Sequence, residues 1–143
     1  MMCVMKRHSN FALAFIAGLV VAFAPRGASA SPCDGVDRSM SPMEKASIVR
    51  AVSRDRNSNE VTIDPPLHWK SWWVVLGDGG TFDADYFFYH GDPSTTKLLG
   101  AIDTFYRPDE ESWLLNWTRS HIPGIPPNLA RCFAWHATKD PDG

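Results

Sequence analysis

The sequence predicts an α+β fold: an N-terminal helix packed on a three- or four-stranded antiparallel meander, with one disulfide. Three observations carry this reading. A capped helical segment follows Ser41, two aromatic and β-branched runs flank Gly77-Asp78-Gly79-Gly80, and a cysteine sits near each end of the chain beyond its leader.

The leader is the first element. Lys6, Arg7 and His8 precede an apolar run from Phe11 to Ala24, and Ala28-Ser29-Ala30 offers small residues for cleavage. This is the composition of a secretory signal peptide, so residues 1–30 are expected to be removed and residues 31–143 to form one small domain. The run falls short of the ~20 apolar residues of a membrane span, and Pro25 and Arg26 follow it, so no membrane insertion is expected after cleavage. Pro32 stands where a lipid anchor on Cys33 would want Gly or Ala, which disfavours lipidation. The expected location is the periplasm or the exterior of the cell.

Losing Lys6, Arg7 and Arg26 with the leader leaves eleven basic residues against all sixteen acidic ones, a formal charge of −5. Without a Lys/Arg run, such a domain lacks the counterion release that drives nucleic-acid binding, and anionic lipid repels it. A charged partner is expected to be basic.

Cys33 and Cys132 remain once Cys3 is gone, and in an oxidising compartment they are expected to pair. Closing a loop of about 100 residues stabilises by up to about 4.7 kcal/mol in the chain-entropy picture. No CxxC or Cys/His spacing supports a metal instead.

Ser41-Pro42-Met43-Glu44 has the form of a capping box and starts a helix from about Pro42 to Arg54. Its apolar stripe is modest, through Met43, Ala46, Ile48, Val49 and Val52. A hairpin follows, from His68 to Leu76 and from Thr81 to His90. With Asp78-Gly79 as a two-residue turn, Val75 faces Phe82, Trp73 faces Ala84, Ser71 faces Tyr86 and Trp69 faces Phe88. That apolar face is expected to be buried under the helix.

The other face then pairs Val74 with Asp83, Trp72 with Asp85, Lys70 with Phe87 and His68 with Tyr89. Carboxylates do not enter a dry core unpaired, so this face reads as partly wet. Lys70, Trp72, Asp83, Asp85, Phe87 and Tyr89 are therefore the candidate binding residues, aromatic anchors beside charges. The alternative is that a later segment covers the aromatic rings while the aspartates lie at the sheet end.

Lys97 to Tyr106 reads as a third strand with a bulge at Gly100. Ser112 to Thr118 fits a fourth strand hairpinned through Pro108-Asp109, or a helix with acidic residues before it and Arg119 and His121 behind. The strand reading widens the meander and is preferred. Ile122 to Pro127 is a loop, Asn128 caps a final element from Leu129 to Thr138, and residues 139–143 form a disordered tail.

Catalytic motifs are missing. The chain has no Gly-x-Ser-x-Gly elbow, phosphate loop, dinucleotide fingerprint or His-Glu-x-x-His, and Asp78, Asp83, Asp85 and Asp92 lack the calcium-loop ladder. No metal or cofactor is expected. His68 and His90 approach in this register and with Lys70 offer acid–base groups, but the balance leans away from an enzyme. Two function classes follow: a non-enzymatic protein binder, such as an inhibitor or immunity protein against a cationic hydrolase, or a domain that binds or hydrolyses a small sugar or apolar ligand.

Overall fold

Ser41 opens the first helix by the reciprocal bonds its sequence calls for. In this computed structural model, which describes residues 31–139, its hydroxyl accepts from the Glu44 amide while the Glu44 carboxylate accepts from the Ser41 amide. Helix α1 spans Pro42–Arg56 and ends at Asn57 in the left-handed conformation. Its buried stripe runs through Ile48, Ala51 and Val52; Met43 and Ala46, expected on that stripe, face solvent. The expected signal peptide and residues 140–143 of the expected tail lie outside the described residues.

The sheet has five antiparallel strands, β1 (Val61–Ile63), β2 (Leu67–Trp69), β3 (Trp72–Gly79), β4 (Phe82–His90) and β5 (Gly100–Asp103). β1 and β2 pair in succession with β3, Val61 opposite Gly79 and Trp69 opposite Trp72, so together they form one interrupted edge strand. Pro65 and Pro66 interrupt it, because proline has no N–H to give a ladder. The meander is present, with this broken strand added. The expected single strand from His68 is two, reversed at Lys70-Ser71, where Lys70 takes φ 55°.

The hairpin register corrects the sequence expectation. Trp73 lies opposite Tyr89 and Val75 opposite Phe87, not Ala84 and Phe82. Asp78 and Gly79 belong to β3, and Gly79 faces Phe82 across Gly80-Thr81 after an irregularity beyond Gly77. Gly79 is needed there because β1 comes close: a Cβ would stand 2.4 Å from the Glu60 carbonyl oxygen. The slip is by an odd number of residues, which exchanges the faces of one strand against the other.

Both faces of the sheet are covered. Ile48, Ala51 and Val52 of α1 pack on Ile63, Trp73, Val75, Phe87 and Tyr89. On the opposite face α2 (Glu111–His121) and α3 (Pro127–Lys139) lay Leu114, Leu129 and Phe133 on Leu67, Trp72, Val74, Tyr86 and Phe88. Each fully buried side chain of this size stabilises by roughly 1.5–3 kcal/mol relative to exposure.

Residues 112–118 are thus helical, correcting the preferred strand. Glu111 lies in the first turn of α2 and Arg119 and His121 in its last, matching the helix dipole, and Leu114 and Thr118 share the buried side. The second apolar sheet face needed a cover more than the sheet needed a further strand. Three smaller corrections follow the same elements. The third strand is confined to Gly100–Asp103, α3 begins at Pro127 with the Pro126 carbonyl accepting from Ala130, and Lys139 belongs to α3 rather than to a tail.

The disulfide joins Cys33 to Cys132 with Cα atoms 4.5 Å apart, tying the N-terminal segment to α3. A second tie lies four residues on, where Asp37 and His68 exchange two backbone hydrogen bonds of 2.8 Å along the outer side of β2. No helix among the described residues is long and apolar enough to cross a membrane.

Candidate functional site

The register slip disperses the residues singled out from the sequence. Trp72 is buried beneath α2 and α3, whereas Phe87 and Tyr89 are fully buried under α1 on the other side of the sheet. Lys70 sits in the β2–β3 turn, its Nζ 4.3 Å from the centroid of Trp69. Asp83 is exposed beside the β3–β4 turn, in a shallow acidic hollow with Glu60 and Asp78. His68 and His90, which the expected register drew together, stack instead on Trp73 and Trp72 on opposite faces. Of the six, Asp85 alone reaches the cleft along β5.

That cleft follows β5, the terminal strand of the sheet, and measures about 650 Å³. Ala101, Ile102 and Asp103 of β5 line it. Arg56 at the end of α1 and Asp85 on β4 make one wall; Tyr106, Glu110, Trp113 and Trp117 make the other. Local structure explains the second wall. Arg107-Pro108 leads into a 3-10 turn over Pro108–Glu110, the Glu110 carboxylate accepts from the Arg107 amide at 2.7 Å, and α2 starts immediately after. Trp113 and Trp117 then fall one helical turn apart on the side of α2 towards the cleft.

The charges in the cleft are partly matched. Arg56 pairs with Asp85 and its guanidinium lies 5.0 Å from the ring centroid of Phe87 and 5.6 Å from that of Phe82. Arg107 stands 3.6 Å from both Asp109 and Glu110. Asp103 has no ion-pair partner among the described residues; it accepts a hydrogen bond of 2.8 Å from the Tyr106 hydroxyl. Burial raises Asp85 above the usual carboxylate range, the Arg56 charge opposes that, and Asp103 and Asp83 add to it. Burial and the bond to Asp103 raise the Tyr106 hydroxyl.

Two large rings near this segment are exposed, Trp113 on the cleft wall and Phe105, which precedes Tyr106 in the chain. Phe105 is 90% exposed with φ 78°, and Trp113 is 54% exposed. A bulky residue in the left-handed region costs on the order of 1–3 kcal/mol and persists where the surroundings impose it. Sequence reasoning missed Phe105, Tyr106, Asp103, Glu110, Trp113 and Trp117 as a group. The signal was the helical reading of residues 111–121, which puts both tryptophans on one side, behind the acidic run Asp109-Glu110-Glu111.

A second hollow, about 400 Å³ and mainly apolar, lies between α1 and the β2–β3 turn, lined by Met43, Ile48, His68 and Trp73. Among the described residues no cluster of three or more His, Cys, Asp or Glu is placed to hold a metal ion. No protein-family model matches the chain, and neither a curated protein nor a solved structure does.

Proposed function

We propose that this chain is an exported, non-enzymatic binding protein that takes a basic protein partner at the β5 cleft. One observation carries the reading: Asp103 and Glu110 converge with Tyr106 and the exposed Trp113 at the β5 edge of the sheet, and Phe105, the residue before Tyr106, is exposed as well. Aromatic rings supply desolvated contact area and attract cations at their faces, and carboxylates at the rim steer a basic surface. An inhibitor or immunity protein against a cationic hydrolase is the specific form of this proposal. The signal-like leader and the Cys33–Cys132 bond support its placement in the periplasm or outside the cell.

The experiment is affinity capture from a periplasmic extract with the native protein and with Trp113→Ala, Asp103→Asn and Met43→Ala, each checked for folding by circular dichroism. A basic protein held by native and Met43→Ala protein but lost with Trp113→Ala supports the proposal. For that partner, Asp103→Asn is expected to slow association and flatten its salt dependence. Equal recovery of it by all four proteins removes the cleft from the function.

A second reading, small-ligand binding or hydrolysis, draws on the apolar hollow at Met43 and Trp73. It predicts quenching of tryptophan fluorescence by a small apolar or sugar ligand that Met43→Ala weakens and Trp113→Ala does not.

A further inference from the structure

We infer that the β5 cleft takes its partner as an added β-strand: an extended segment pairs with the outer edge of β5 and sends a Lys or Arg side chain towards Asp103 beside Trp113. This rests on the cleft being the binding site. It specifies what kind of surface the partner presents.

The two edges of the sheet are treated differently. At the β1/β2 edge, Pro65 and Pro66 interrupt the ladder and Asp37 already bonds to His68. β5 carries no proline and no lysine, and beyond it no strand is paired among the described residues. Unpaired N–H and C=O groups along such an edge are a template for another chain unless bulges, charges or a cover block them. Here Ala101, Ile102 and Asp103 of that edge strand line the cleft, so whatever fills the cleft lies against β5. Backbone pairing supplies affinity in this mode and pockets beside the edge read alternate side chains.

Charge chooses the occupant. Asp85, Asp103, Asp109 and Glu110 outnumber Arg56 and Arg107 along this edge, and both arginines are already engaged by those carboxylates. A second copy pairing β5 on β5 would set acidic walls against each other, which disfavours a homodimer here. A basic segment meets the uncompensated Asp103 and the exposed face of Trp113, where its cation gains both an ion pair and a ring.

The test uses residues 31–143 with the disulfide intact and four synthetic octapeptides. One alternates Lys with Val, one alternates Glu with Val, and two are the Lys peptide N-methylated at alternate amides, one in each phase. The Lys peptide is expected to bind and the Glu peptide not to. One methylation phase is expected to weaken binding by about tenfold or more, and the other to leave it nearly unchanged, because only alternate amides of an added strand face the edge. Hydrogen exchange at β5 amides that point outward is expected to slow in the complex, and Trp113→Ala and Asp103→Asn are each expected to weaken it. If the Lys peptide binds in a Trp113-dependent way but both methylated forms bind equally and β5 exchange is unchanged, strand addition is overturned while the cleft stands. Lys-peptide binding that Trp113→Ala and Asp103→Asn leave untouched, or no binding of the Lys peptide at all, overturns strand addition. Whether the cleft reading falls with it is then read from capture of a folded basic partner by native and Trp113→Ala protein.

Discussion

Asp85 on β4 lies directly opposite Asp103 on β5, so the strand ladder sets two carboxylates against each other at the lip of the cleft. Like charges in that position oppose folding by a few tenths to about 1 kcal/mol, and Arg56 offsets the repulsion on the Asp85 side only. Asp103→Asn is expected to bring the raised Asp85 carboxyl closer to its ordinary range and to leave stability at neutral pH equal or slightly higher. Carbon-detected NMR titration of Asp85 in both proteins checks this; an unchanged Asp85 would remove the cross-strand coupling.

All three tyrosines of the chain titrate above their ordinary value of 10.0 when folded. Burial pushes Tyr86 up to about 12; burial and then a hydrogen bond to a carboxylate raise Tyr89 through Asp55 and Tyr106 through Asp103. Above pH 10 the unfolded chain releases phenolic protons that the folded chain still holds, so unfolding is favoured progressively as pH rises towards 12. Stability is expected to be unaffected by these groups below pH 10 and to fall above it. Tyrosinate absorbance should be minimal for native protein at pH 10.5 and substantial in urea; a native chain that titrates normally would contradict the burial.

The Tyr89 hydroxyl donates to Asp55 at 2.9 Å, and Asp55 also takes Arg54 Nε at 2.8 Å. Removing the acceptor strands a buried hydroxyl, whereas removing the hydroxyl strands little. Asp55→Ala is expected to cost roughly 1–3 kcal/mol, Tyr89→Phe about 1 kcal/mol, and Asp55→Ala much less in the Tyr89→Phe background than alone. Urea unfolding of the four proteins measures the cycle, and additive losses would show that the pair is uncoupled.

For residues 31–143, thiol titration of the unfolded, unreduced chain is expected to find no free thiol. Replacing Cys33 and Cys132 together by Ser should lower stability by roughly 2–4 kcal/mol, with α3 still held by Leu129, Phe133 and Ala134 in the core. A change below about 0.5 kcal/mol would show that the N-terminal segment is tied chiefly by the Asp37–His68 bridge.

Phe105 contributes exposed surface and backbone strain, with no core contact to lose. Phe105→Gly and Phe105→Asn tolerate the left-handed conformation, so both are expected to be as stable as the native protein or more so by up to about 1 kcal/mol. If the proposed partner also touches Phe105, the same variants should lose affinity for it, separating stability from binding. Lowered stability in both variants would place Phe105 among the structural residues instead.

The sequence by itself determined the elements whose causes are local. The Ser41 capping box starts α1 because its four residues satisfy their own amides, and the paired count of Cys33 and Cys132 names the disulfide without any knowledge of the path between them. Alternating aromatic runs made β3 and β4 strands of an antiparallel sheet. Tertiary structure alone decided the register, because the Asp78-Gly79 turn that local chemistry favours gave way to the approach of β1 on Gly79, and that odd slip sent Trp72 to one face and Phe87 and Tyr89 to the other. It also decided that Ser112–Thr118 is helical, since both strand and helix suit those residues and only an uncovered sheet face distinguishes them. The cleft was illegible for the same reason: Asp85, Asp103 and Trp113 come from three separate elements, and no local pattern records a meeting that packing creates.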